Sequence, residues 1–561
     1  MDTRATLGRD LGVACLLALI LGATWAWRDW GNLAQLRLPD TDDVVRLQQV
    51  RDWLAGQAYA DVTQHRIGPA TPMHWTRVAD LGPAALILAL KPLLGAHGAQ
   101  VAAVTIWPVL LFALALLLVA RIARTLDPRL AGTATAVAAL AYPAATLFLP
   151  GRIDHHGLQM VLLLGAVLCI VRPAGLIPGA FAGLLAAGSL AVGLETAPLF
   201  AALGLVAVAE WVEGRPGASD RLAGLGLGAL TGLMVANSAF ATSGWSFPAC
   251  DGFTGAAWRA GIVLALAPLL LAGLDKRLDR AWNRAVAALA VCATGGLLAL
   301  WVAPSCLQPY GAVDPAMARL WLDEVGEAQS FTEASLSTVI GYVGVTVAGI
   351  AAGLWRLRAE PRRGWATLLC VQAAALAVAA VQLRGAYAGA LLAAPGLAAL
   401  IVHARTRGGL AIAGAWAASA GILYPLAAQA LPERSRTAPT AAGDCASPAM
   451  LARLDSLPVG LVVAPMDAGP YILAGTRQHV LAAPYHRNGP ANLASYRFYL
   501  GAPAEASAIT GRWHVRYWLS CAAMPGVGRA NGLPSWRRIA QLSDGAAIWA
   551  RDGLSGMAAR R

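Results

Sequence analysis

Four groups of ionisable residues stand where a very apolar chain has least use for charge. The first is Pro39-Asp40-Thr41-Asp42-Asp43. Three carboxylates this close repel one another unless a cation or a basic partner stands nearby. One reading is a helix N-cap with first-turn acids, since Val44–Leu54 has a helical pattern. The other makes Asp42 a metal ligand or a catalytic base. The second group, Gly151-Arg152-Ile153-Asp154-His155-His156, sits between two long apolar runs. Its carboxylate and imidazoles offer oxygen and nitrogen to a divalent cation, against a plain polar turn as the alternative. The third is Asp323-Glu324-Val325-Gly326-Glu327-Ala328-Gln329-Ser330, an acidic stretch ahead of a late apolar run. The fourth is Arg384, a single guanidinium between two apolar runs. Such a group is suited to gripping a phosphate, or else to snorkelling at an interface. Acids for a metal and a base, with one arginine, make a set suited to displacing a phosphate leaving group.

The elements that must position these residues are membrane helices. Of 561 residues, 57% are hydrophobic and 13% charged, against roughly 25% charged in a soluble globule. The mean hydropathy is +0.57. Runs such as Val101–Ala120 have the length a bilayer demands, and backbone in hydrocarbon must bond to itself, so they form helices. The pattern predicts about 13 transmembrane helices. The net charge of +12 comes largely from short loops: Arg121, Arg124 and Arg129; Lys276, Arg277, Arg280 and Arg284; Arg356, Arg358, Arg362 and Arg363; Arg405 and Arg407. That distribution follows the positive-inside rule. With no basic stripe on a soluble face, it also argues against nucleic-acid binding.

Arg4 and Arg9 place the N-terminus inside, ahead of a first span over residues 11–27 read as a retained anchor. Residues 28–100 are expected to form a large first external loop. Counting onward puts Asp40, Asp154, Glu195, Glu327 and Arg384 at or near the outer face. Two domains follow: residues 1–429 as the membrane domain, and residues 430–561 as an external mixed α/β domain. In the latter, Val459–Ala464, Tyr471–Ala474, His479–Ala482, Arg516–Ser520 and Ala546–Ala550 have strand length, with turn residues between them. Cys15, Cys169, Cys292 and Cys370 lie in apolar runs as packing residues. In an oxidising compartment Cys250 with Cys306, and Cys445 with Cys521, are candidate disulfides.

These motifs, taken in order, resemble the catalytic subunit of oligosaccharyltransferase, of the bacterial single-subunit type, in the GT-C class of polyprenyl-linked glycosyltransferases. Thr41-Asp42 with Val50-Arg51-Asp52 looks like the family's first-loop acidic motif. Asp154-His155-His156 falls where the family has an Asp-x-Glu metal pair. Val325-Gly326-Glu327-Ala328-Gln329 resembles the external-loop motif whose glutamate contacts the acceptor, and Arg384 the arginine that binds lipid pyrophosphate. Pro465-Met466-Asp467-Ala468-Gly469 sits where the family carries WWDYG, with both tryptophans replaced.

The resemblance implies a metal-dependent transferase that moves a sugar or oligosaccharide from a polyprenyl-(pyro)phosphate donor to an acceptor on the periplasmic side. Asp42, Asp154 and His156 would hold Mn²⁺ or Mg²⁺. Asp42 and Glu327 would be catalytic, and Arg384 would bind the donor phosphate. Asp467 and His486, the latter in Tyr485-His486-Arg487-Asn488, would contact the acceptor. The implied setting is a bacterial inner membrane, with lipid around the chain and a periplasmic C-terminal domain. With the tryptophans gone, a lipid or polysaccharide acceptor stands beside a protein one. A transporter or flippase of lipid-linked glycans is the rival of another class, although transporters place their charges at the midplane between repeats.

Overall fold

The computed structural model describes residues 3–308, 313–321, 325–431, 445–521, 533, 535–542 and 545–551. Asp323 and Glu324 of the third acidic group lie outside the described residues. The chain divides into two compact units: Met1–Leu36, Trp75–Gly311 and Val325–Glu433 form the first, and Arg37–His74, Ala312–Glu324 and Arg434–Arg561 the second.

The first unit is a multi-pass helical bundle. Eight of its described helices are long and apolar enough to cross a bilayer. Four shorter apolar helices accompany them: His156–Val171, Leu176–Val192, Ala197–Val212 and Gly409–Ser419. The expectation of about 13 spans rested on apolar runs alone. Some of these runs are broken, as where the helix Ala131–Ala139 gives way to a 3-10 turn over Ala144–Phe148. The stretch expected as loop over residues 28–100 is helical from Leu81 onward. That helix, Leu81–Leu126, kinks at Gly95, whose φ of 69° is left-handed.

The helix over Ala386–Ala404 is the axis of the bundle. In the span it forms, 89% of the most apolar stretch is buried, against 44% or less in the others. Its alanines and glycines let the helices Leu336–Ala359, Ala131–Ala139 and Arg363–Val381 pack close around it. The tightest approach elsewhere pairs Leu176–Val192 with Ala218–Phe240. There a Cβ on Gly183 would meet Leu225 O at 2.2 Å, and one on Gly228 would meet Ala180 O at 2.0 Å. Large apolar side chains such as Leu289, Leu297 and Trp301 point outward, as a lipid-facing surface requires. Cys250 and Cys306 are bridged, with Cα atoms 4.8 Å apart, inside the range a disulfide spans.

The second unit is a mixed α/β domain. Its five-stranded sheet runs in the order His479–Val480, Leu461–Val463, Val515–Ser520, Ala547–Arg551, Trp536–Gln541. The first two pairings are parallel and the last two antiparallel. Trp518 stacks on Trp549 at 5.2 Å between ring centroids and meets Phe498 edge-on in the core. Cys445 and Cys521 are bridged, with Cα atoms 5.5 Å apart.

One expected strand is a helix. Tyr471–Ala474 lies within Ala468–Gly475, where Gly469, Ile472 and Leu473 are buried at helical rather than alternating spacing. Residues 37–74 belong to this unit by long-range bonds. Arg51 donates to Ala474 O at 3.1 Å, Arg66 to Thr476 O at 2.9 Å, and Gly68 N to Val480 O at 2.8 Å.

Candidate active site

In the first unit, four of the residues singled out in the sequence meet at one end of the bundle. Asp154 precedes the helix that opens at His156, in a connection too short to leave the bundle. Glu327 rides on a 3-10 turn, Gly326–Ala328. Leu383 N donates to Gln329 O at 3.0 Å, and Phe331 N donates to Ala380 O at 3.1 Å, holding that stretch against the start of the axial helix. Arg384 stands in the turn Leu383–Gly385 that begins this helix. Gly385 is required there, because a Cβ would meet Ala379 N at 2.5 Å and Ala375 O at 2.7 Å.

The side chains converge. His156 Nε2 lies 3.5 Å from Asp154 Oδ2 and 3.8 Å from Glu327 Oε1. Arg384 reaches the same Glu327 oxygen at 3.4 Å, while Tyr387 OH donates to the other at 3.1 Å. Asp154, His155 and His156 are all buried, whereas Glu327 keeps 28% of its side chain exposed. The cluster therefore has a sealed floor and an open side.

Three supporting groups complete the cluster: His155, which the sequence offers as a cation ligand, and Gln159 and Glu195, which it does not single out as site residues. His155 bridges two carboxylates, with Nδ1 on Asp154 Oδ1 and Nε2 3.1 Å from Glu195 Oε1. Gln159 Nε2 donates to Glu195 Oε2 at 2.6 Å, and Gln159 Oε1 lies 3.3 Å from His156 Nδ1. Burial opposes charge on His155, but the carboxylates of Asp154 and Glu195 overcome it and raise its pKa to about 10. Burial likewise opposes charge on Glu195, which the facing His155 nevertheless holds well below the usual carboxylate range. Glu327 is pulled down to about 2, against burial, by His156 and Arg384. The carboxylates are thus held ionised as acceptors. A lone Glu in the short connection after Val192 was the available signal for Glu195, because an ionisable group between spans is rarely idle. Tyr387 was legible only as the residue one helical turn past Arg384.

The donor set fits a divalent cation. Asp154, His155 and His156 offer ligand atoms within 4.8 Å of one another. Both ring nitrogens of His155 are engaged by carboxylates, which leaves it the role of orienting Asp154. Asp154 Oδ2, His156 Nε2 and Glu327 Oε1 are separated by 3.5 and 3.8 Å along the two measured edges. Ligands about 2.1 Å from one ion lie about 3.0–3.5 Å apart, so slight contraction suffices.

The remaining predicted residues lie in the second unit. Asp40 N-caps the helix Thr41–Leu54, accepting from Asp42 N at 3.1 Å. The capping reading of this motif therefore holds for Asp40. Asp43 is buried and Asp42 is half-buried in the first turn. This helix packs against Ala468–Gly475, whose N-cap is Asp467. Burial pushes the Asp467 carboxyl upward, and the negative charge of Asp40 adds to it. Met466 is buried against Met317 and Ala482. His486 faces His74 at 5.6 Å between rings, while Arg487 donates to Met73 O at 3.0 Å.

No protein-family model matches the chain, and no curated protein matches it. Solved structures do. An archaeal oligosaccharyltransferase, AglB of Archaeoglobus fulgidus in complex with an inhibitory peptide and a dolichol-phosphate, superposes with a TM-score of 0.64 at 13% identity, covering 91% of this chain and 69% of that one. An Archaeoglobus fulgidus oligosaccharyltransferase tethered to an acceptor peptide containing the NVT sequon gives 0.63 at 15% identity, covering 93% and 69%. Its complex with Zn and sulfate gives 0.61 at 14% identity, covering 91% and 67%. A membrane bundle and a small sheet domain in this arrangement of sequence give the chain the GT-C fold of the oligosaccharyltransferases.

Proposed function

We propose that the chain is a GT-C glycosyltransferase that moves a sugar or oligosaccharide from a polyprenyl-(pyro)phosphate to an acceptor, using a divalent cation. One observation carries this reading: Asp154 with His156, Glu327 and Arg384, from three segments far apart in sequence, meet at one end of a membrane bundle with that fold. The acceptor nucleophile attacks the anomeric carbon, the bond from that carbon to the phosphate oxygen breaks, and the lipid phosphate leaves with the bonding pair. Asp42 is assigned the acceptor proton and a share of the metal, on the strength of its motif. Asp154 and His156 would hold the cation, with His155 and Glu195 fixing their orientation. When bound, the cation neutralises charge that builds on the leaving phosphate. Arg384 donates hydrogen bonds to that phosphate, and Glu327 keeps the guanidinium aimed while ordering the acceptor. Asp467 and His486 are assigned to acceptor contact, and the external face to the periplasm.

Several features support a lipid-linked donor and a metal. The archaeal oligosaccharyltransferases that share this fold bind dolichol-phosphate in one structure, an acceptor peptide in another and zinc in a third. Acids gathered at one end of the bundle, instead of at its middle, disfavour a transporter. A lipid or polysaccharide acceptor is the second reading, favoured by one observation. Pro465 and Met466 stand where the resembled family has tryptophans, and Met466 is buried against Met317.

The test is glycan transfer by the purified protein from a mixed pool of polyprenyl-linked donors, with Mn²⁺ or with chelator. Metal-dependent transfer that drops at least about 100-fold in Asp42→Ala is expected. Donor translocation without transfer, indifferent to Asp42→Ala, would sink the enzyme reading.

A further inference from the structure

The axial helix Ala386–Ala404 runs from Arg384 at the candidate site to Arg405 just past its other end. Nineteen helical residues span about 28 Å, close to the thickness of a bilayer's hydrocarbon. At the Arg405 end lies a cavity of ≈590 Å³, lined among others by Arg9, Asp10, Arg124, Arg129, Arg405 and Trp416. Four guanidiniums face it against one carboxylate.

The wall is built rather than incidental. Asp10 accepts from Arg124 Nε at 2.7 Å and from Arg121 at 3.1 Å, clamping the first helix to the end of Leu81–Leu126. Asp127 holds Arg129 at 2.8 Å. Arg405 donates to Thr133 Oγ1 at 3.2 Å. Neither Arg9 nor Arg405 has a carboxylate partner among the described residues, so the cavity keeps net positive charge. Val13, Ala136 and Trp416 supply an apolar side. The bounding helices Thr3–Arg28 and Gly409–Ser419 turn Leu11, Leu16 and Leu410 outward.

We infer that this cavity binds the phosphodiester headgroup of an anionic phospholipid, with its acyl chains lying along those two helices. Charge selects the phosphate, and the location at span ends selects a lipid: basic pockets between membrane helices recognise anionic headgroups, and Trp favours the interface. A free phosphate would make no use of the apolar side.

The experiment uses the full chain in detergent. Phosphatidylglycerol, phosphatidylcholine and inorganic phosphate are titrated separately while bound lipid is counted by native mass spectrometry and the thermal midpoint is followed. Phosphatidylglycerol is expected to bind saturably and raise the midpoint, and the other two to do neither. In the double variant Arg9→Gln/Arg405→Gln its affinity falls about 30-fold, from two lost surface guanidiniums. Thr133→Val, which frees Arg405 from its anchor, gives a smaller loss of the same kind. Equal binding of phosphatidylcholine, the same shift with inorganic phosphate alone, or wild-type affinity in the double variant would each overturn the assignment.

Discussion

The two ends of the axial helix use charge in opposite ways. At the Arg384 end, the carboxylates of Asp154, Glu195 and Glu327 face two imidazoles and one guanidinium, and the innermost of these groups are buried. At the Arg405 end, five arginines face Asp10 and Asp127, and Arg9 and Arg405 are exposed. Burying ionised groups is costly unless each is paired, so the first arrangement persists only where every charge is answered by another. The second is what a membrane surface asks of a bundle in contact with anionic headgroups. One helix thus ends in a buried, charge-paired cluster at one terminus and in an exposed, arginine-rich surface at the other. The sign of the excess charge, not the fold, separates them.

That contrast can be broken or sharpened by substitution. The largest effect is expected from Arg384→Ala, with transfer falling about 10²–10³-fold as the developing phosphate charge loses its donor. Arg384→Lys should recover only part of this, because an ammonium does not reproduce the planar fork. Initial rates at saturating and limiting donor would measure both. Next comes Glu195→Gln, which keeps the shape but removes the charge facing His155. A loss of about 10-fold in transfer, substantially restored by raising Mn²⁺, is expected of a residue that orients a metal ligand. A loss that metal fails to restore would make Glu195 a packing residue. At the far end Arg405→Gln should leave transfer within about twofold, as befits a surface charge. A loss rivalling that of Arg384→Ala would erase the distinction between the two termini.

Much of this was legible in the sequence, and the rest fails for identifiable reasons. Spans announce themselves by length and hydropathy, and Asp154, His156, Glu327 and Arg384 drew notice because charge between apolar runs is expensive. Their convergence depends on helix packing that no local pattern encodes. Tyr471–Ala474 reads as a strand in the sequence because four apolar residues carry no period of their own. The neighbouring Gly469 and Pro470 are buried with it as one helical face. The strand Trp536–Gln541 has no apolar run to announce it because Arg537 and Arg538 interrupt it, as suits an exposed edge. Glu195 was seen as an outer-face acid but not as a site residue, since its partners lie 36 and 40 positions away. The association of residues 37–74 with the C-terminal domain rests on hydrogen bonds across more than 400 positions, such as Arg51 with Ala474. Sequence order gives no hint of these.

The central claim, that the Arg384 end is built around a divalent cation, is tested most directly by counting bound Mn²⁺. Full-length protein in lipid nanodiscs would be titrated with Mn²⁺ and followed by electron paramagnetic resonance, comparing wild type with Asp154→Asn and with Arg405→Gln. One saturable ion per chain in the wild type and in Arg405→Gln, with affinity at least about 10-fold weaker in Asp154→Asn, is the predicted result. Equal Mn²⁺ binding by the wild type and Asp154→Asn would contradict it.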